Sequence, residues 1–164
     1  MIIDSRFAAF PLRIGSSAID RRGVFAEAAI PPRRKVVEYT GEKISLQTSL
    51  RRIRCILFGK NRRGHKRLYL ARINRGYSID GAVGGSGAEF VNHCCDPNLK
   101  WRKVNGRLFF YSCKRIRKGQ ELTIDYHFGP TDNPVKCLCG SRKCRGTINR
   151  PKTTDGKSSG GSRK

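Results

Sequence analysis

Apolar and polar positions alternate over short distances along most of this chain, and turn formers cut the pattern into brief segments. The run Lys-Val-Val-Glu-Tyr at residues 35–39 follows Pro31-Pro32 and stops at Gly41, which predicts a short strand between breakers. From Ser45 the spacing changes: Leu46, Leu50, Ile53 and Leu57 recur at helical intervals, with Ser45 placed to cap the helix and Gly59 to stop it. Residues 98–104 and 107–113 are β-rich and separated by Asn105-Gly106, a dipeptide whose tolerance of positive φ predicts a tight hairpin. Residues 121–126 read as a further strand after the Lys118-Gly119 turn. The pattern predicts a mostly β domain with few short helices. Residues 150–164 offer no apolar side chain to bury after Arg150 and are expected to form a disordered basic tail.

Length and charge narrow the picture. At 164 residues the chain is about one domain, without internal repeats, and large enough for a core that needs no disulfide staples. Lys and Arg number 35 against 12 Asp and Glu, a formal charge of +23. That excess predicts attraction to nucleic acid or another polyanion, the alternative being a solvated basic face. Asp4 and Arg6 interrupt the N-terminus, so no secretory apolar core is present, and no stretch approaches the roughly 18 apolar residues of a membrane span. No membrane partner is expected, and the chain is read as soluble and intracellular. Three of the seven cysteines form a C-x-C-x4-C cluster, Cys137, Cys139 and Cys144, which suggests metal ligation in a reducing compartment.

Three segments carry the chemistry. They are Gly87-Ala-Glu-Phe-Val-Asn-His-Cys-Cys-Asp-Pro-Asn98, Gly119-Gln-Glu-Leu-Thr-Ile-Asp-Tyr126 and the cysteine cluster. In this order the chain resembles a SET-domain protein lysine methyltransferase of the trithorax-like group with a zinc-binding post-SET tail, over residues 20–149. The resemblance implies small sheets with a knot-like C-terminal threading, a SET domain at 1–132 with a basic insert at about 43–75, and a post-SET segment at 133–149. It also implies S-adenosylmethionine as cofactor, a lysine-containing protein as substrate, plausible for a histone or a chromatin or nucleoid protein, and a place in the nucleus or a bacterial nucleoid. Arg22, Gly23, Val24 and Phe25 match the family's cofactor loop, and Asn92, His93 and Tyr69 match further cofactor contacts. Tyr126 and Tyr39 match catalytic positions; with Tyr69 and Ile124 they would line the lysine channel.

The departures are Arg21 where the family has the first glycine of its loop, acidic Glu89 where a basic residue is common, Cys94 for serine, and Ile124 where Phe or Tyr is usual. Isoleucine brings no hydroxyl to restrain the amine, so the pocket is expected to admit more than one methyl group. Asp125 is expected to hold structure rather than act as a base.

Three thiolates leave a tetrahedral structural zinc site one ligand short. The resemblance nominates Cys95 beside Cys137, Cys139 and Cys144, with Cys94 and Cys113 as rivals. Between Glu42 and Asp80 the chain has no acid, while residues 51–75 hold ten Lys and Arg. This insert is expected to bind DNA or another polyanion. The alternative function is a non-catalytic basic zinc module that keeps the fold and binds nucleic acid.

Overall fold

A computed structural model describes residues 1–57 and 67–151. Among these, three small sheets and a single α-helix are present. The first sheet joins β1 (Leu12–Ser16) and β2 (Arg22–Ala26) as an antiparallel pair, so the expected cofactor loop is largely a strand. The turn between them closes through the Ser17 N–H on the Arg21 carbonyl, 3.0 Å, with Arg21 at φ 45°. This left-handed conformation suits glycine best, and Arg21 adopts it at some cost.

The second sheet contains β3 (Lys35–Tyr39), the helix-free counterpart of the predicted strand. The third begins with β4 (Glu42–Ser45), which leads into α1 (Leu46–Leu57), β5 (Leu70–Arg72) and β6 (Tyr77–Asp80); β6 pairs with both β4 and β5. A single 3-10 turn at Ala88–Phe90 precedes β7 (Asn92–His93). The hairpin of β8 (Leu99–Val104) and β9 (Arg107–Ser112) turns on Asn105 and Gly106 at φ 48° and 73°, as the dipeptide predicts, and β9 pairs with β3.

The last strand, β10 (Glu121–Ile124), completes the first sheet in the order β1-β2-β10-β7. It ends two residues before the predicted limit, because the Asp125 and Tyr126 backbone turns away toward His93. Leu12, Val24, Ile30, Val36, Leu99, Ile116 and Leu122 are fully buried and tie the sheets into one core. Each such side chain contributes about 1.5–3 kcal/mol by leaving water.

Helix α1 starts as predicted: the Ser45 hydroxyl accepts from the Thr48 N–H at 3.1 Å, an N-cap bond. Its buried face differs. Leu50 is 54% exposed, while Ser49 is buried with its hydroxyl on the Ser45 carbonyl at 3.0 Å. The reason is Arg52, whose guanidinium reaches Glu42 at 2.7 Å and the buried Asp80, turning the Ser49–Arg52 side of the helix toward β4 and β6. The predicted stop at Gly59 and the tail beyond residue 151 lie outside the described residues.

Candidate functional site

Parallel pairing of β7 with β10, in the register Thr123↔Asn92 and Ile124↔His93, brings two distant motifs together. The Cys94 N–H continues the ladder to the Ile124 carbonyl at 3.0 Å. At the strand ends, the Tyr126 N–H donates to His93 Nδ1 at 3.2 Å, and the Tyr126 hydroxyl donates to the Val91 carbonyl at 3.1 Å. The two rings meet edge to face at 5.3 Å. His93 is buried, and this burial lowers its pKa against the opposing pull of Asp125, with Arg145 and His127 adding to the depression. The neutral ring therefore accepts at Nδ1 and carries its proton on Nε2, which lies 3.4 Å from Cys95 Sγ.

Asn92 is anchored on three sides. Its Nδ2 donates to the Arg22 carbonyl at 2.8 Å and the Glu121 carboxylate at 2.9 Å, with Ser17 Oγ at 3.1 Å. The Ser17 hydroxyl also donates to Glu121 at 2.8 Å. Gly23 makes this close approach possible, since a Cβ there would stand 2.3 Å from Glu121 Oε1. Val24 is wholly in the core, Phe25 lies beneath the Arg13 guanidinium, and Arg22 stacks 4.0 Å over Phe90. The matched segment thus reaches the site through the Arg22 backbone and side chain and through Gly23.

Three tyrosines converge beside this network. The buried Tyr39 donates its hydroxyl to the Tyr69 carbonyl at 2.6 Å, and the Tyr69 ring meets Phe90 edge-on at 5.7 Å. Burial, reinforced by the charges of Glu89 and Asp80, pushes the Tyr39 phenol above the ordinary tyrosine range, and Tyr126 is close enough to add to the effect. Tyr126 is 37% exposed, yet burial around its hydroxyl pushes that pKa up to about 12. Both phenols are neutral at pH 7. Ile124 is buried two residues earlier. Glu89 is half-buried, accepts the Gly87 N–H at 2.8 Å, and is raised in pKa by burial. A Cβ on Gly81 would lie 2.8 Å from both Glu89 Cβ and Tyr39 Oη, so only glycine fits between them.

Next to His93 the four sulfurs of Cys95, Cys137, Cys139 and Cys144 lie within 4.8 Å of one another. Tetrahedral zinc with bonds of about 2.3 Å needs sulfurs about 3.8 Å apart, and Cys95 and Cys137 stand at 3.8 Å. Backbone N–H groups of Arg145 and Gly146 reach Cys95 and Cys144 at 3.4 and 3.3 Å. Burial works against a Cys139 thiolate, but backbone and thiol donors overcome it and bring the pKa down to about 6, while burial pushes the Cys137 thiol up, a proton that zinc would displace on binding. The donor set fits zinc. Of the rivals, Cys94 accepts from the Asp96 N–H and Cys113 donates to the Pro97 carbonyl, and neither joins the quartet. Arg145 links this cluster to β10 through Asp125 at 2.8 Å; burial alone would raise the Asp125 pKa, and this pairing lowers it overall.

Residues 21–127 match the SET domain family. The chain belongs to the SET domain family. A histone-lysine N-methyltransferase, H3 lysine-4 specific, from Emericella nidulans is 38% identical over 146 residues, covering 85% of this chain and 12% of that relative. The histone-lysine N-methyltransferase SETD1A of Homo sapiens is 34% identical over 149 residues, covering 88% and 8%. Apo ctPRC2 in an autoinhibited state contains a chain with a TM-score of 0.61 and 32% identity, over 71% of this chain and 15% of that one. The SET chain described here therefore spans only a small part of the length of its curated relatives.

Within this SET domain, the basic insert is less available than its composition implies. Arg52 is engaged by Glu42 and Asp80, and Arg67 by Asp20. Arg51, Arg54, Arg72 and Arg75 are exposed, and Lys60, Arg62, Arg63 and Lys66 lie outside the described residues. Sequence reasoning missed Ser17 and Glu121, which fasten Asn92, and Asn98, whose amide clamps the Glu121 carbonyl and Thr123 N–H of β10 at 2.8 and 2.9 Å. Glu121, a carboxylate at the start of β10, was the available signal; Ser17 and Asn98 lie just outside β1 and β8. No described helix is long and apolar enough to cross a membrane.

Proposed function

We propose that this SET domain transfers methyl groups from S-adenosylmethionine to a lysine side chain of a histone-like chromatin protein. The observation that carries the reading is the convergence of the Tyr39 and Tyr126 hydroxyls, each fixed on a backbone carbonyl, beside the Asn92-His93 pair. The names of the relatives support the substrate class. Arg22, Gly23, Val24, Phe25, Tyr69, Asn92 and His93 would border the cofactor, with Val24 contributing only backbone.

When bound, S-adenosylmethionine supplies an electropositive methyl group open to in-line attack. The chain's part is to orient and desolvate the amine. Tyr39, Tyr69, Ile124 and Tyr126 line the channel, and the burial that lifts the tyrosine pKa values lowers that of a lysine entering it, favouring the neutral nucleophile. Both hydroxyls donate to carbonyls, so each oxygen keeps lone-pair capacity to accept from the amine. Such positioning supplies up to about 7–11 kcal/mol in ideal cases. Asp125, held by Arg145 and His127, takes no part in proton transfer in this reading. A non-catalytic module has no use for two phenols fixed in this way.

We assign residues 1–132 to the SET domain and 133–149 to a post-SET segment closed by one zinc on Cys95, Cys137, Cys139 and Cys144. Bound by these four cysteines, zinc would pin that segment beside His93. The insert at about 43–75 is assigned DNA or another polyanion as partner, through Arg51, Arg54, Arg72 and Arg75. Methyl transfer from labelled cofactor to histones and to this chain itself tests the enzymatic reading. Absence of both transfer and calorimetric cofactor binding defeats it.

A further inference from the structure

We propose that the end of the domain opposite the tyrosines is a docking surface for the phosphate backbone of duplex DNA, built from residues 31–35 and 113–120. Two loops are locked there side by side. Ile30 and Ile116, both fully buried, exchange backbone hydrogen bonds at 2.9 and 3.0 Å. The buried Ser112 hydroxyl donates to the Pro31 carbonyl at 2.6 Å and accepts the Arg34 N–H at 2.9 Å, while the Arg33 N–H reaches the Ser112 carbonyl at 2.8 Å. The platform is therefore rigid, and its charges need little further ordering when a ligand arrives.

Arg33, Arg34, Arg115, Arg117 and Lys118 project from it exposed, and none forms an ion pair among the described residues. Neither loop contains an acid. The nearest pairing, Lys114 with Asp96 at 3.0 Å, leaves these five cations uncompensated. Arg115, Arg117 and Lys118 line a depression of about 460 Å³ with Gln120, whose Oε1 is occupied by the Arg117 N–H. Its charged side chains are all cationic hydrogen-bond donors.

The missing side chains choose the occupant. No large apolar residue is exposed in either loop. Protein interfaces rely on buried aromatic or aliphatic anchors, lipid surfaces on inserted apolar groups, and single-stranded nucleic acid on aromatic stacking platforms. Guanidinium forks with none of these match phosphodiester oxygens along a stiff duplex. The place is also informative. β3 begins at Lys35 and ends at Tyr39, and β10 begins at Glu121 and leads to Tyr126, so both strands run from this patch to the tyrosines. DNA held here leaves the tyrosine side open to a protein. No residue of this surface belongs to the insert.

The test measures fluorescence anisotropy of a labelled 20-base-pair duplex with the full chain, across roughly 50–200 mM salt. The variant Arg115→Ser/Arg117→Ser/Lys118→Ser is expected to lower the slope of log affinity against log salt by about 2.7, three contacts at about 0.9 each. Arg115→Lys/Arg117→Lys keeps the charge and should retain the slope, and thermal melting of each variant checks the fold. Unchanged slope and affinity in the triple variant overturn the proposal, as does loss confined to Arg51→Ser/Arg54→Ser, which assigns the DNA to the insert. Equal, competing binding of poly-glutamate or single-stranded RNA also overturns it, in favour of those partners.

Discussion

The His93 ring and the Tyr126 backbone form a single unit: Nδ1 accepts the Tyr126 N–H at 3.2 Å while Nε2 faces Cys95 Sγ at 3.4 Å. One imidazole thus fixes where the tyrosine begins its turn and where the cysteine quartet sits. Its neutrality, set mainly by burial, makes both contacts possible at once.

Tyr126→Phe removes one hydroxyl and keeps the ring packed against His93 and Phe128. The turnover of labelled methyl transfer should fall about 100-fold, equivalent to about 2.7 kcal/mol of barrier. Thermal stability and calorimetric cofactor affinity should stay close to the parent, and a variant with parental turnover would remove Tyr126 from the reaction.

Metal analysis should give one zinc per chain, and Cys95→Ser should abolish it. Structural zinc contributes on the order of 10–16 kcal/mol of apparent binding energy in small domains. Chelation should therefore raise amide hydrogen exchange across residues 133–149, with the sheet formed by β1, β2, β10 and β7 protected for longer. Uniform exchange in both regions would contradict a local role for the metal.

Glu89 ties stability to pH. Burial raises its pKa in the folded chain, so the folded state holds the proton more tightly than the unfolded one. Its contribution to stability should be greatest below the unfolded value of 4.5, fall as pH rises through the folded pKa, and level off above it. Glu89→Gln keeps an acceptor for the Gly87 N–H and abolishes the ionisation. Urea midpoints from pH 4 to 7 should show the variant gaining on the parent as pH increases; parallel curves would refute the assignment.

Arg52→Met leaves the Asp80 carboxylate, 7% exposed, without its guanidinium. Breaking a fully buried pair costs about 3–5 kcal/mol, and with Arg52 itself 21% exposed the loss should be on the order of 2–3 kcal/mol. Arg51→Ser, on the exposed side of the same helix, should change stability by less than about 0.5 kcal/mol. Chemical denaturation distinguishes the two.

Local signals in the sequence were legible wherever the deciding physics was local. Asn105-Gly106 specifies its hairpin through backbone conformation, the run at residues 35–39 forms β3 at its predicted limits, and Ser45 caps α1. Three members of the cysteine quartet were legible from their close spacing, whereas Cys95, 42 residues before Cys137, came only from the resemblance. Leu50 misled because an ion pair, rather than leucine periodicity, sets the face that α1 buries. β1 and β2 escaped the pattern because Gly15 and Gly23 dilute their apolar alternation. The roles of Ser17 and Glu121 depend on Asn92, which lies 75 residues from the first and 29 from the second, and no local pattern encodes such a meeting.

The β8–β9 hairpin occupies the connection between the parallel strands β7 and β10. Its closure has a kinetic consequence. A turn of two residues forms on the microsecond scale, whereas parallel pairing must first overcome the entropy of a long loop. By folding on itself, the hairpin draws His93 and Glu121 together and shortens the effective loop before β10 joins its neighbours. The reactive end of the domain is thus expected to be the last part of this sheet to assemble, paced by a turn whose Gly106 carbonyl is held by Tyr77 and not by Tyr39 or Tyr126.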